Sequence, residues 1–312
     1  MREYTTTNSN PFIDPSHEVW AWEIPVYLFL GGLVAGMMII SGYFLLSGRW
    51  RNRDSSCYVL PALSLVLLSA GMFALFLDLE HKLYVWRLYL TFQVTSPMSW
   101  GSWILILVYP TLIGSLLLAL PAALRERSPG LEKLSARMQA RPSLLRLIGT
   151  INIALGIMLG IYTGILLSSL GARPLWSSAL LGPLFLVSGI STAAALVDLV
   201  AKDHAERDLV SRADIGFMIT ELLFIFLFLI GLMNASGVHR EAAGMLLGGS
   251  FTAVFWVLVV GLGLLVPIVI QSLAATHKIR HTAVAPLLVL VGGLVFRLVM
   301  VSAGQLTHWT AT

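Results

Sequence analysis

Eight apolar runs dominate the chain, at residues 24–46, 58–79, 100–124, 147–170, 177–199, 214–235, 250–275 and 283–304. Each is about the length, roughly 20 residues, that carries a helix across the hydrocarbon core of a bilayer. The first contains no charged residue at all. The connections between runs are short, so the pattern predicts an all-α integral membrane protein with eight transmembrane helices.

Composition agrees: 57 % of residues are hydrophobic and 12 % charged, and no hydrophilic segment is long enough for a separate soluble domain. Charge adds an orientation. The loops after spans one, three, five and seven carry 14 of the 20 Lys and Arg residues, among them Arg49, Arg53, Arg125, Lys133, Arg207, Lys278 and Arg280. The opposite face has five: Arg2, Lys82, Arg87, Arg173 and Arg240. Positive loops stay cytoplasmic, so both termini are expected on the outer, periplasmic side of a bacterial cytoplasmic (inner) membrane. The +4 net charge is this loop bias, and no nucleic-acid partner is expected. Glu3, Asp14, Glu18 and Glu23 precede the first run where a cleaved signal would need a basic segment. That run is therefore read as a true span.

Ligand chemistry excludes several cofactors. The single cysteine, Cys57, cannot hold an iron–sulfur cluster, which takes four thiolates. His17, His81, His204, His239, His277, His281 and His308 fall in loops or at span ends, whereas a two-histidine membrane haem needs both ligands inside helices. His277 and His281 have metal-like spacing but lie in a basic loop, so solvation is the expected role.

A charge in hydrocarbon costs a few kcal/mol and calls for a partner or a function. Arg297 lies in an otherwise apolar stretch, about two-thirds of the way across from the cytoplasmic end at 1.5 Å per residue. Asp78 closes span two near the outer face, with His81 just beyond, and Glu23, Tyr27, Tyr162, Asn234, Gln305 and His308 reach the same level. A polar cluster at one depth suits a small amphiphile with a polar head; the alternative is a buried Asp78–Arg297 ion pair that ties two helices. Deeper lie Glu221, Asp214 and Asn152. Glu221 is either a neutral hydrogen-bonded residue or a step in a proton relay. Asp198 and the charges after it are read as a hydrated helix end.

Small residues in Gly31-Gly32-x-x-Ala35-Gly36, Gly156-x-x-x-Gly160-x-x-x-Gly164 and Gly244-x-x-x-Gly248 predict close helix packing. Tryptophans near the span ends form an aromatic belt. The connection from Glu80 to Ser99 reads as an amphipathic helix in the interface or as a docking surface.

Several segments together resemble the NrfD/PsrC family of membrane subunits found in respiratory complexes such as polysulfide reductase. They are Trp22-Glu23-Ile24-Pro25-Val26-Tyr27 through Gly36, Leu77-Asp78-Leu79, Ser96-Pro97-Met98-Ser99-Trp100-Gly101-Ser102-Trp103, Tyr162-Thr163-Gly164, and Leu184-Phe185 through Gly189. The resemblance implies two four-helix bundles, at 24–170 and 171–312 after an outward segment 1–23. It implies an exchangeable menaquinone or ubiquinone near the outer face, with no haem or iron–sulfur cluster in this chain. It also implies a ferredoxin-like iron–sulfur partner subunit joined to a molybdopterin or multihaem catalytic subunit. By position, Glu23, Tyr27, His81 and Tyr162 would contact the quinone.

On that footing Asp78, Arg297 and Glu221 are the residues expected to serve catalysis. Tyr162 would hydrogen-bond one carbonyl, and Asp78 or Glu23 would exchange protons with the outer side. Arg297 would hold the carboxylate ionised or stabilise developing charge, while Glu221 would lead toward the cytoplasm. The competing readings are a secondary transporter of a small anion, with Arg297 as its site, and a bare membrane anchor. Against transport, there is no matched pair of broken spans.

Overall fold

The eight apolar runs fold as eight helices in a computed structural model that describes residues 20–52, 54–171, 173–276 and 282–309. They are α1 (Glu23–Leu46), α2 (Leu60–Asp78), α3 (Pro97–Leu118), α4 (Pro142–Ser168), α5 (Leu181–Val200), α6 (His204–Asn234), α7 (Val254–Ala275) and α8 (Val284–Gln305). The His277/His281 pair, His17, Arg2, Arg53, Lys278, Arg280, Glu3, Asp14 and Glu18 lie outside the described residues.

Local chemistry sets the helix ends. Pro97 and Pro142 open α3 and α4, where the missing N–H costs nothing and the fixed φ is already helical. The third span was expected to run to 124, but α3 stops at Leu118 and a separate short helix, Ala122–Arg127, follows Pro121. Proline disfavours helical geometry in the residue before it, so the break falls there. α6 begins ten residues before the expected start at 214, because the Asp203 side chain accepts a hydrogen bond from the Ala205 N–H and caps it. α7 winds as a π-helix over Val254–Leu265 and as an α-helix over Val266–Ala275.

α1 is the central helix: 78 % of its most apolar window is buried, against 33 % for α2 and for α6. It packs on α2 and α4 on one side and on α5 and α8 on the other. The crossing with α5 is close. A Cβ at Gly189 would come 2.6 Å from the Gly32 carbonyl oxygen, so only glycine lets these backbones meet. The small-residue stripes of α1 and α4 act in this way. Gly244 and Gly248 do not, since a Cβ at either would find no neighbour within 4 Å among the described residues.

Charged residues at the far face, opposite the start of α1, are less solvated than their sequence suggested. Asp198 is buried and its carboxylate lies 3.4 Å from Arg207 Nε. Glu206 is fully buried and accepts hydrogen bonds from the Ser56 N–H (2.8 Å) and hydroxyl (3.0 Å), fastening the α1–α2 connection to α6. The connection from 80 to 96 holds only a turn at Lys82–Tyr84 and a single helical turn at Arg87–Leu90. No continuous amphipathic helix forms, because side chains of α3 take up its backbone groups.

Candidate functional site

Near the start of α1, Tyr27 turns toward α2, α3 and α4 and faces Tyr162 of α4, the two hydroxyls lying close enough to interact. Both rings are buried. Tyr89, from the turn Arg87–Leu90, joins them. The three phenols line a cavity of about 80 Å³ whose remaining walls are Met72, Leu75, Leu79, Leu88, Met98, Gly101, Ser102, Leu105 and Leu166. Gly101 makes room for Tyr162: a Cβ there would overlap the phenol ring at Cζ, Oη and Cε1. Burial, and then nearby Tyr109, push the Tyr89 phenol above its ordinary range, so it is a neutral donor at physiological pH.

Tyr27 and Tyr162 were expected here from the sequence; Tyr89 was not, although it belongs to the aromatic stretch Tyr84-Val85-Trp86-Arg87-Leu88-Tyr89. The Ser-Pro-Met-Ser-Trp-Gly-Ser segment takes its meaning here. Ser99 Oγ accepts from the Gln93 N–H (2.9 Å) and donates to the Thr91 carbonyl (3.1 Å). Trp100 Nε1 donates to the Val94 carbonyl at 2.7 Å. Ser102 Oγ reaches the Leu88 carbonyl at 2.7 Å and the Ser99 carbonyl at 2.8 Å. The loop over the cavity is thus fastened to the first turns of α3.

Two carboxylates, Glu23 and Asp78, lie at the same end of α1 and α2. Glu23 is one turn before Tyr27 on the same face of α1, and it lies near enough to Asp78 for their charges to interact. Glu23 Oε2 is buried with no hydrogen-bond partner among the described residues. His81 is exposed and does not line the cavity of Tyr27, Tyr89 and Tyr162. With Glu80, Arg87 and Gln93 it lines an adjoining cavity of about 540 Å³, which shares Leu79, Leu88 and Met98 with the smaller one.

Arg297 does not pair with Asp78. Its guanidinium donates to Ser188 Oγ (2.9 Å) and to the Phe185 carbonyl (3.0 Å), and it lies over the rings of Phe185 and Phe296, 4.1 and 5.1 Å from their centres. Glu221 is its charge partner, and Ser188 bridges toward that carboxylate. Depth along a helix says nothing about azimuth, and Arg297 is turned to α5 and α6, away from α2. Asp214, two turns before Glu221, accepts from Ser191 Oγ (2.7 Å) and Gln271 Nε2 (2.9 Å). A cavity of about 10 Å³, the size of one water molecule, touches Glu221, Ser188 and Thr192.

The remaining polar residues of the expected cluster serve elsewhere. Gln305 bonds the backbone N–H and carbonyl of Trp20, both at 2.8 Å, and so ties α8 to the segment before α1. His308 meets Arg173 at 2.8 Å. Asn234 donates back to the Ile230 carbonyl. Asn152, of the deeper group, donates to Ser115 Oγ. A second large cavity, about 370 Å³ between α1, α4, α5 and α6, offers Tyr43 as its one polar side chain. Among the described residues, no three His, Cys, Asp or Glu side chains converge as metal ligands.

Comparison with known proteins places this architecture. Residues 8–308 match the family model described as polysulphide reductase, NrfD. One chain of the polysulfide reductase of Wolinella succinogenes is 30 % identical over 305 residues, which cover 92 % of this protein and 94 % of that one. Protein NrfD of Escherichia coli is 30 % identical over 310 residues, at 93 % and 96 % coverage. One of the subunits of the selenate reductase of Mesobacillus selenatarsenatis is 22 % identical over 295 residues, at 85 % and 69 %. With the match extending over nearly its whole length, this chain belongs to the NrfD family.

Proposed function

We propose that this chain is the quinone-binding membrane subunit of a respiratory oxidoreductase complex, with no prosthetic group of its own. The observation that carries the reading is the convergence of Tyr27, Tyr89 and Tyr162 on one apolar-walled cavity close to a membrane face. A ring with two carbonyls fits that donor set. About 80 Å³ is small for such a ring, since ligand cavities usually start near 300 Å³. The adjoining 540 Å³ is reached by displacing the side chains of Leu79, Leu88 and Met98, which supplies the space.

A bound menaquinone or ubiquinone supplies two-electron, two-proton chemistry. This chain supplies hydrogen bonds and proton exchange. Tyr162 donates to a carbonyl oxygen and Tyr27 orients Tyr162. Glu23 offers a buried oxygen that no other described residue engages, and Asp78, half-buried at the end of α2, links it to water on the near face. Electrons are exchanged with a ferredoxin-like iron–sulfur subunit that is joined to a molybdopterin or multihaem catalytic subunit. Two of the relatives bear the names of single components of a polysulfide reductase and a selenate reductase, which supports such an assembly. The loop charges support a bacterial inner membrane with the near face periplasmic, and the packing of α1 on both halves is compatible with four-helix bundles at 24–170 and 171–312.

Glu221 belongs to a second element of the proposal, a proton route toward the cytoplasm. Ser188 beside Glu221 and Ser191 on Asp214 are one turn apart on α5, which shortens the gap of about 10.5 Å between the two carboxylates along α6. Arg297 then serves to hold Ser188 and Glu221. Its enclosure by Phe185 and Phe296 favours this reading over a transporter in which Arg297 would bind an anion.

Tyr162→Phe in the assembled complex tests the site. It removes one hydroxyl and little volume, so quinone-linked turnover should fall about fivefold or more, the equivalent of one hydrogen bond. Activity of the catalytic partner with an artificial electron carrier should be unchanged. Wild-type quinone kinetics in that variant would overturn the assignment.

A further inference from the structure

The loop between α2 and α3 is fastened unevenly. Ser99 donates its one hydroxyl proton to the Thr91 carbonyl and accepts from the Gln93 N–H, so it grips the loop at two points and has no second carbonyl to turn to. Trp100 adds the bond to Val94. That end of the loop is fixed. Ser102 differs, because its single proton faces two carbonyls, Leu88 in the loop and Ser99 in its own helix. Giving the proton wholly to Ser99 frees Leu88 while leaving the hydroxyl satisfied. Leu88 is one of the three residues shared by the two cavities, and Tyr89 follows it.

Resting on the quinone reading above, we propose that Tyr89 is a third contact to the quinone head group and that Ser102 is a positioning residue that acts through it. Ser102 holds Leu88 and Tyr89 against Tyr27 and Tyr162, and its alternative partner lets this part of the wall yield when a ring must pass between the two cavities. Ser99 and Trp100 form the fixed end about which it moves. The same group that closes the site therefore also places one of its three phenols.

The test uses the assembled complex in detergent, with a fluorescent heptyl-hydroxyquinoline N-oxide as the quinol-like probe and amide hydrogen exchange of residues 86–94 as a readout independent of turnover. Ser102→Ala should speed exchange at Leu88 and Tyr89 and weaken the probe about fivefold, as expected for one lost hydrogen bond. Ser102→Thr keeps the hydroxyl and should restore both. Tyr89→Phe should weaken the probe with exchange unchanged, and combining it with Ser102→Ala should cost less than the product of the single effects. Independent effects, or a Ser102→Ala variant that binds and exchanges as wild type, would overturn the proposal. Tyr162→Phe is measured alongside: if it weakens the probe and the Ser102 and Tyr89 variants do not, this inference alone fails. If none of the variants does, the quinone site itself is elsewhere.

Discussion

Gly101 is where one atom decides the shape of the site. A methyl group there would occupy the space of the Tyr162 ring, which is held between α3 and α4. Gly101→Ala should therefore displace Tyr162, lower quinone-linked turnover by about tenfold or more, and cost about 1–3 kcal/mol of stability by overpacking. Gly114→Ala on the same helix is the control, since its added carbon would sit 3.6 Å from Ile148, an ordinary contact; turnover and melting temperature of both variants decide it. Asp78 gives a second expectation at this scale. Asp78→Asn keeps shape but carries no proton, so turnover should fall at every pH while the complex assembles. Because Arg297 is bonded to Ser188 and Phe185 and not to Asp78, adding Arg297→Gln should give no rescue; recovery of activity in the double variant would restore the ion-pair reading. The sequence marked Tyr27, Tyr162 and Asp78 because each is polar where a span should be apolar. Tyr89 carried no such mark: it lies in a loop whose backbone is bonded by serines on another helix.

Helices as elements were legible at their centres and not at their ends. Hydropathy averages over a window, so it found eight spans, but Pro121 and the Asp203 cap act through one or two backbone bonds that no average registers. The charged stretch 202–208 looked solvated for the same reason. Within it Glu206 is buried and anchors the α1–α2 connection through Ser56. Replacing Glu206 by Ala leaves the Ser56 N–H and hydroxyl without an acceptor and should destabilise the protein by about 3 kcal/mol. Thermal unfolding in detergent measures this, and quinone kinetics per folded complex should stay at wild-type values, because the far face is remote from the tyrosines. A variant that unfolds normally but loses quinone turnover would show that this loop communicates with the site.

At the scale of the whole molecule, α1 separates two polar centres, and Arg297, which the sequence grouped with Asp78, belongs to the second. Tyr27 faces α2, α3 and α4, whereas Gly32, about 7.5 Å further along the axis, lies against Arg297 and Gly189 on the other side. The first centre adjoins the cavity that holds His81, with Leu79, Leu88 and Met98 as the shared wall. The second runs the other way, from Arg297 and Glu221 through Ser188 and Ser191 to Asp214. If the second centre moves protons, the complex conserves energy that near-face exchange alone would not. Glu221→Gln is the variant that separates the cases, since it keeps the shape and the bonding capacity toward Ser188 while removing the exchangeable proton. The whole complex, sealed in liposomes, is expected to lose pH change and membrane potential per electron in this variant while the hydrogen bonding at Tyr162 remains intact. Equal ratios at equal turnover would leave Glu221 and Arg297 as a buried structural pair, whose value would then lie in fixing α5, α6 and α8 around α1.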